Sequence, residues 1–289
     1  MVVTVAYDSG AVLPALAADL ARQSRPPLAW LVVDNTPLSA PLCLETLAIP
    51  NLAVRRLAGD EGDGFGAGCN RAFDRLDAEG WRGWVWLLNP DTALPRGEEL
   101  AQLLAALAGL PDTTLVGTAV DDGHGGTEAS GGWIDPGLAF RRRCLGATHR
   151  LGHRPLALDW LSGCNLVLRP SARQPQARFD PRYPLYYEDM DLCLRQRALG
   201  APVLWLPTPA VQHRRGTGST APGPRRIRLS TLGYLRFLRR HCPPWVFALR
   251  TARLLLLSLL RLPLRPHRSL AALEAGTTVL AEALRGLPA

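Results

Sequence analysis

The chain has 289 residues, of which 47% are hydrophobic and 20% charged, and its 33 basic residues outnumber the 25 acidic ones by eight. This composition supplies enough apolar surface for a core and excludes a disordered, collagen-like or disulfide-scaffold protein. All of the basic residues are arginines, which also excludes lysine Schiff-base chemistry and a P-loop lysine. The length predicts one large α/β domain, or one domain with an appendage.

Strand-like and helix-like segments alternate along the first 120 residues. Apolar, β-branched runs predict strands at 2–7, 29–33, 52–57, 84–88 and 114–119. Alanine and leucine at helical spacing predict helices at 12–23, 70–79 and 98–107. This alternation predicts a mostly parallel sheet with helices on both faces. Ligands of such sheets lie beyond the carboxyl ends of the strands, where Asp8, Asp34 and Asp91 stand, so we expect one shared crevice.

Regular elements are sparser in the middle of the chain. Residues 121–155 are rich in Gly, Arg and His and predict a long irregular loop. Strand character returns at 158–168, a helix is predicted within 183–200, and a short strand follows at 203–206. Residues 207–228 form a Pro/Gly/Arg-rich connection, after which the chain is helical and rich in leucine and arginine.

Three carboxylates fall within four positions at the start of the helix predicted within 183–200: Glu188, Asp189 and Asp191. One interpretation is that Glu188 and Asp189 cap the free N–H groups of the helix, while Asp191 and Arg195 pair across one turn on its surface. The other is that one carboxylate acts as a general base, with a pKa set by the adjacent acid and by the two preceding tyrosines.

A second group of polar residues has the chemistry of a metal and phosphate site. Asn89-Pro90-Asp91 follows a predicted strand, and a carboxylate there can hold Mg²⁺ or Mn²⁺ against a diphosphate, although such turns are common. His213 precedes two arginines and a Gly/Ser loop, which suits a metal ligand beside a phosphate; a single histidine is more often structural or solvated.

The glycine-rich stretch at 59–68 lacks the GxGxxG fingerprint of a dinucleotide site. It favours close packing of a loop against a ligand, with Asn70 opening the following helix, and a plain turn is the simpler alternative.

In this order, the motifs resemble the family-2 glycosyltransferases, in particular their rhamnosyltransferase-like bacterial branch. The elements that carry the resemblance lie between residues 2 and 219: Ala6-Tyr7-Asp8-Ser9, Val32-Val-Asp-Asn35, Gly64-Phe65-Gly66 with Asn70, Asn89-Pro90-Asp91, Ser162-Gly163-Cys164 with Leu168-Arg169, the block from Glu188 to Leu192, and His213 with Gly218-Ser219. The chain departs from the family pattern at Asp8 and at Gly62, where asparagine is usual, and both departures concern the donor loops.

The resemblance implies a GT-A fold, which is a Rossmann-like, mostly parallel α/β sheet flanked by helices, and inverting, metal-dependent sugar transfer from a nucleoside-diphosphate sugar. It implies Asp189 as the catalytic base with Glu188 beside it, and Mg²⁺ or Mn²⁺ bound by Asp91 and His213. The implied donor-binding residues are Tyr7, Asp8, Asp34, Gly64, Asn70, Asn89 and Arg214. The implied acceptor-side residues are Trp160, Gly163 and Tyr187.

The implied acceptor is a glycan or polyprenyl-linked hydroxyl in cell-surface polysaccharide synthesis, and rhamnose is the sugar that the branch suggests. The alternative is a catalytically inactive sugar-nucleotide-binding or scaffold protein of the same fold; the joint presence of Asp91, Asp189 and His213 argues against it. A nucleic-acid partner is not expected, because the arginines are not interleaved with aromatic stacking residues.

The basic charge is concentrated in residues 220–289, which contain 12 arginines and two acids. Their charge-free runs, 254–260 among them, are shorter than the ~20 apolar residues that span a bilayer. Arg250, Arg253 and Arg261 share one helical face, which predicts an interfacial helix on an anionic membrane; a core-packed helix with solvated arginines is the alternative.

We therefore expect a GT-A catalytic domain at 1–219 and a helical region at 220–289. The first residues resemble a strand and lack the features of a signal peptide. The expected location is cytoplasmic, peripheral on the cytoplasmic face of the inner membrane.

Overall fold

The computed structural model describes residues 1–37, 42–43, 47, 50, 52–123, 126, 128, 130–135, 141–146, 154–170, 177–214 and 223–287. Within these residues the helices are α1 (Leu13–Ala21), α2 (Phe65–Ala78), α3 (Glu99–Leu107), α4 (Glu188–Ala198), α5 (Pro224–His241), α6 (Pro244–Arg261) and α7 (Pro266–Leu284). The strands are β1 (Val2–Ala6), β2 (Trp30–Asp34), β3 (Val54–Ala58), β4 (Val85–Leu88), β5 (Thr92–Ala93), β6 (Leu115–Asp121), β7 (Gly131–Asp135), β8 (Arg141–Cys144), β9 (Leu156–Ala157), β10 (Trp160–Leu161), β11 (Asn165–Leu168) and β12 (Val203–His213).

The described strands form a nine-stranded sheet in the order β3-β2-β1-β4-β11-β6-β12-β5, with β9 also paired to β12. β1 to β4 are parallel, and β6 is parallel to β12, whereas β11 is antiparallel to both of its neighbours. The predicted α/β class with a large, mostly parallel, helix-flanked sheet is confirmed. The carboxyl ends of β1, β2, β4 and β12 lie at one edge of the sheet, together with the start of β11. The polar motifs that follow these strands therefore lie at the same edge.

Continuous apolar strands and two helical layers build the core. β2 and β4 are buried along their whole length, as expected for strands covered on both faces. Phe73 of α2 packs on one face of the sheet, and Leu16 of α1 and Leu103 of α3 pack on the other. The predicted amphipathic helices therefore bury their apolar faces against the sheet and fix its position.

Several element boundaries differ from the sequence-based expectation. α2 begins at Phe65, five residues before the predicted start, because Gly64 is already its N-cap and accepts the backbone N–H of Gly68 at 3.0 Å. Asn70 therefore lies inside the helix and does not open it. β12 continues through the predicted connection as far as His213.

The region predicted as an irregular loop, 121–155, contains strands. β7 and β8 pair with each other and with β10 as a three-stranded antiparallel sheet. The sequence did not predict β8 because this strand consists mainly of arginines. The guanidinium of Arg143 lies 5.7 Å from the ring of Trp133, a cation–π contact that accommodates its charge.

The helical C-terminal region packs directly on the sheet domain. Leu235, Phe237 and Leu238 of α5 are buried in the same cluster as Phe73 and Met190. Among the described helices, none is long and apolar enough to cross a membrane. The predicted division between 219 and 220 falls among residues outside the described ones, and it stays a prediction.

Candidate active site

The pairing of β5 with β12 brings together Asp91 and His213, which are 122 positions apart in the chain. Thr92 pairs with His213, which places Oδ1 of Asp91 3.1 Å from Nε2 of His213. The backbone N–H of Arg214 donates to the carbonyl of Asp91 at 2.8 Å and closes the connection. The two predicted metal ligands are thus in contact at the sheet edge.

The other ring nitrogen of His213 faces a third acid, Glu128, which the sequence analysis did not single out. Nδ1 of His213 lies 2.9 Å from Oε2 of Glu128. Burial opposes protonation of the imidazole, but its hydrogen bonds to Asp91 and Glu128 outweigh burial and raise the pKa of His213. A carboxylate on Nδ1 fixes the ring orientation and leaves Nε2 directed at the Asp91 side, where a cation would be bound.

The second predicted centre stands where α4 begins. Tyr186 and Tyr187 precede it with φ angles of 62° and 69°, a left-handed conformation that non-glycine residues adopt only when the surroundings impose it. The ring of Tyr187 packs 5.6 Å from that of Tyr234 and 5.2 Å from that of Phe237, centroid to centroid, both on α5. This turn presents Glu188 and Asp189 at the helix N-terminus, whose dipole favours a negative charge.

The hydrogen bonds of Glu188 and Asp189 differ. Oδ2 of Asp189 accepts the N–H of Gly163 at 2.8 Å, and Oδ1 accepts the N–H of Met190 at 2.8 Å. Oε2 of Glu188 is buried and has no hydrogen-bond partner among the described residues. Burial raises the pKa of both carboxyls, the charge of Asp189 raises that of Glu188 further, and the two N–H groups partly counteract the rise for Asp189. The two N–H groups therefore favour the charged form of Asp189, and Glu188 holds a proton more readily.

A cavity of about 600 Å³ opens in front of Asp189. Trp160 and Tyr187 form part of its wall, and the guanidinium of Arg142 lies 6.0 Å and 5.8 Å from their ring centroids. A Cβ atom on Gly163 would stand 3.0 Å from the Phe65 ring, so glycine allows the N–H of this residue to approach Asp189. The three predicted acceptor-side residues are thus gathered around the predicted base.

One cysteine lies between the two centres. Asn89 donates its backbone N–H to the carbonyl of Cys164 at 3.1 Å, which connects the Asn89-Pro90-Asp91 turn to the Ser162-Gly163-Cys164 turn. Burial raises the pKa of the Cys164 thiol to about 12, and the charges of Asp189, Glu128 and Asp91 add to this rise. The Ser162-Gly163-Cys164 turn therefore contacts both centres, since Gly163 donates to Asp189 and Cys164 accepts from Asn89.

The predicted donor residues at the ends of β1 and β2 lie at the same edge. Tyr7 is exposed, and Asp8 has a positive φ of 50° with its N–H donated to Thr36 Oγ1 at 3.2 Å. Asp34 is buried, and it accepts hydrogen bonds from Leu42 N–H and Arg56 Nε, both at 2.9 Å. Burial would raise the pKa of Asp34, but its hydrogen bonds lower it. A nucleoside contact by Asp34 would have to exchange one of these bonds, and this role stays a prediction.

Two other donor predictions have protein partners in the structure. A Cβ atom on Gly64 would lie 2.1 Å from the carbonyl oxygen of Pro184, so glycine is required for packing against the segment before α4. Asn70 donates Nδ2 to the carbonyl of Phe179 at 2.8 Å and accepts the N–H of Phe179 at 2.9 Å. Both residues hold the loop that leads into the catalytic turn, and their contact with a donor is untested.

Asn89 and Arg214, the remaining donor predictions, flank the Asp91–His213 contact. Asn89 is half-buried, and its carbonyl accepts the N–H of Thr92 at 3.1 Å; Arg214 is exposed one residue after His213. Gly218-Ser219, part of the motif around His213, lie outside the described residues.

Sequence reasoning missed four contributors to the site. One contributor is Glu128, and the other three are Arg142, Tyr234 and the two-residue segment Ser230-Thr231, which line the 600 Å³ cavity. Glu128 and Arg142 lie in the region read as a loop, and the others lie on α5, whose amphipathic pattern carries no motif.

Comparison with known proteins identifies relatives of this chain. Two proteins from strains of Mycobacterium tuberculosis, both described as N-acetylglucosaminyl-diphospho-decaprenol L-rhamnosyltransferase, are 28% identical to it over 240 residues, which is 74% of this chain and 75% of theirs. No protein-family model matches the chain.

Solved structures share the fold at low sequence identity. Mannosyltransferase PcManGT from Pyrobaculum calidifontis, solved with GDP-Man and Mn²⁺, has a TM-score of 0.53 at 16% identity, covering 98% of this chain and 74% of that one. S. aureus TarS 1-349 with UDP-GlcNAc gives 0.52 at 16% identity, covering 99% and 91%. GalNAc-T7 with UDP, GalNAc and Mn²⁺ gives 0.57 at 16% identity, and this chain spans about half of it, 49%.

The mostly parallel, helix-flanked sheet has the GT-A fold that these solved glycosyltransferases share. Together with the mycobacterial relatives, this fold confirms the resemblance seen in the sequence: the chain is similar to rhamnosyltransferases and shares the fold of solved glycosyltransferases.

Proposed function

We propose that the protein is an inverting glycosyltransferase that moves a sugar, rhamnose by similarity to the mycobacterial relatives, from a nucleoside-diphosphate donor to a hydroxyl of a lipid-linked glycan. One observation carries the proposal. The carboxylate of Asp189 accepts the N–H of Gly163 at the wall of a ligand-sized cavity, and it stands at the same sheet edge as the Asp91–His213 contact. The relatives' names describe an acceptor that is a sugar on a polyprenyl diphosphate.

The reaction follows from this placement. Asp189 takes the proton of the acceptor hydroxyl while that oxygen forms a bond to the anomeric carbon of the donor sugar. The bond from the anomeric carbon to the diphosphate oxygen breaks on the opposite face, and the nucleoside diphosphate leaves. The anomeric configuration is inverted because attack and departure occur on opposite faces. Gly163 N–H and Met190 N–H hold the carboxylate of Asp189 in position.

Asp91 and His213 fit a divalent metal. Their facing atoms are a carboxylate oxygen and an imidazole nitrogen 3.1 Å apart, and neighbouring ligands of an octahedral ion stand about 3 Å apart when each bond is about 2.1 Å. No group of three or more His, Cys, Asp or Glu side chains that could hold a metal is found among the described residues, so water or the diphosphate would supply the other ligands. When bound, Mg²⁺ or Mn²⁺ would neutralise charge on the departing diphosphate.

The test is a transfer assay with the full chain. A panel of nucleoside-diphosphate sugars, including rhamnosyl donors, is combined with N-acetylglucosaminyl diphosphate on a short polyprenyl chain and Mn²⁺. We expect acceptor-dependent release of nucleoside diphosphate, and NMR of the product should show the anomer opposite to that of the donor. Release without glycoside formation, or a product with retained configuration, would contradict the proposal.

Glu128 provides a test of the metal site that does not depend on turnover. We expect Glu128→Gln to weaken Mn²⁺ binding about 10- to 100-fold, since loss of a carboxylate behind a ligating histidine has effects of this size. Isothermal titration of Mn²⁺ into the protein measures the change. Glu98→Gln, an exposed acid at the start of α3, is the control and should bind Mn²⁺ like wild type. Equal affinities for all three proteins would show that Glu128 does not support a metal ligand.

A further inference from the structure

A groove of about 300 Å³ runs along α6, outside the active-site cavity. Three arginines line it: Arg250, Arg253 and Arg261. Leu254, Leu257 and Ser258 complete the α6 side. Such a combination of guanidinium groups and apolar floor suits an amphipathic anion, because arginine donates paired hydrogen bonds to phosphate oxygens.

The groove adjoins the active-site cavity through one side chain. Tyr234 lines both, with its ring against Tyr187 in the cavity and its hydroxyl accepting a hydrogen bond from Arg250 Nη1 at 3.1 Å. A ligand with its sugar in the cavity would therefore extend past Tyr234 into the arginine-lined groove.

Two of the three groove arginines, Arg253 and Arg261, have no carboxylate partner among the described residues. The two acids of α7 already pair with α5: Glu274 with Arg228 at 2.7 Å and Glu282 with Arg236 at 2.5 Å. The groove is consequently a cationic site open to an anionic ligand.

An exposed apolar face borders the arginines on the same helix. At about 100° per residue, it lies beside Arg253, and its members are Trp245, Leu249, Leu256 and Leu260, each at least half exposed. Exposed leucines and a tryptophan next to a cationic groove provide contact for a hydrocarbon chain beside its charged head.

We propose that the α6 groove binds the diphosphate of a polyprenyl-diphosphate-linked sugar acceptor, with the sugar in the active-site cavity and the polyprenyl chain on the apolar face of α6. This inference rests on the proposed glycosyltransferase function and adds to it the site that recognises the acceptor's linker. It also gives a role to three of the twelve arginines in residues 220–289.

The test compares two double variants of equal charge. Arg253→Gln/Arg261→Gln alters the groove; Arg25→Gln/Arg285→Gln alters two exposed arginines elsewhere. We expect the groove variant to bind farnesyl diphosphate about tenfold more weakly, as for the loss of charge-assisted hydrogen bonds, and the control to match wild type. In transfer assays the groove variant should lose the wild-type preference for N-acetylglucosaminyl diphosphate farnesol over the farnesyl glycoside that lacks the diphosphate.

The outcomes separate the two proposals. Weaker farnesyl diphosphate binding by the groove variant, with no transfer by wild type from any donor, would support the groove and overturn the catalytic proposal. Unchanged binding and unchanged acceptor preference would overturn the groove. Binding to phosphatidylglycerol vesicles tests whether the arginines bind the phosphate of a lipid headgroup. If the groove variant loses vesicle binding but keeps its farnesyl diphosphate affinity, the arginines contact lipid headgroups and the proposal is wrong.

Discussion

The Asp189→Asn variant is expected to lose acceptor-dependent sugar transfer by about 10²- to 10⁴-fold, the range that a positioned general base contributes. Asparagine keeps the size of the side chain and can still accept the N–H of Gly163, but it cannot take a proton from the acceptor hydroxyl. Donor affinity, measured by titration calorimetry with the nucleoside-diphosphate sugar, should therefore stay close to that of wild type.

Glu188→Gln is the matched control for this variant. Glutamine resembles the protonated form that we assign to Glu188, so the loss of turnover should remain below about tenfold. The assignment depends on the two N–H groups that Asp189 accepts and on the unpartnered, buried Oε2 of Glu188. If Glu188→Gln were as inactive as Asp189→Asn, the proton would have been assigned to the wrong carboxyl.

The pH profile adds a second readout. Burial raises the pKa of Asp189 above the usual aspartate value, and a general base works only when deprotonated. Activity should therefore fall as the pH drops, with the acidic limb of kcat/KM centred above the ordinary aspartate pKa of about 3.9. A profile without an acidic limb above that value would contradict Asp189 as the base.

The sequence predicts the sheet domain well where strands are apolar and helices amphipathic. β2 and β4 are recognisable because burial on both faces requires continuous apolar runs. β8 is not recognisable from its arginines, because the aromatic rings that they contact lie on other segments: Arg143 lies over Trp133 of the paired strand β7, and Arg142 over Trp160 and Tyr187. The early start of α2 was missed because a glycine-rich stretch by itself favours a turn. The packing of Pro184 against Gly64, which requires glycine there, is a long-range contact that the local sequence does not reveal.

The sequence points to candidate site residues where a short local motif carries the chemistry. Asp91, His213 and Asp189 come from short local motifs, and the topology brings them together. Glu128 and Tyr234 have no such motif, because their roles arise from long-range packing: one contacts His213 across 85 positions, and the other belongs to a helix that covers the cavity. The residues next to Glu128 and Tyr234 in the chain do not indicate such contacts.

Asp191 was predicted to pair with Arg195 on the helix surface, and the structure corrects half of that prediction. The ion pair is present at 2.7 Å, but the Asp191 side chain is 0% exposed. Its other oxygen accepts from Nε2 of His241 at 2.7 Å and lies 3.4 Å from Nη1 of Arg240. Asp191 therefore anchors α5, which carries the cavity wall, to α4, which carries the base.

Replacing Asp191 with alanine is expected to lower the free energy of unfolding by about 3–5 kcal/mol, the usual cost of removing one partner of a buried ion pair. The variant leaves Arg195, His241 and Arg240 without their common carboxylate in a half-buried environment. Burial would raise the pKa of Asp191, but His241 and Arg195 hold it below its usual value. The stabilisation is therefore fully present above the unfolded-state pKa of about 3.9 and is lost only as the pH falls through the lower folded value.

Urea unfolding at pH 7 measures this change, with Asp74→Ala as the control. The Asp74 side chain is 76% exposed in its pair with Arg178, so its removal should cost no more than about 1 kcal/mol. Because Tyr234 and the α6 groove depend on where α5 sits, Asp191→Ala should also raise the acceptor KM more than the donor KM. A variant with unchanged stability would mean that α5 is held by its apolar face alone, and a uniform loss for donor and acceptor would mean that Asp191 supports the whole fold and has no particular role on the acceptor side.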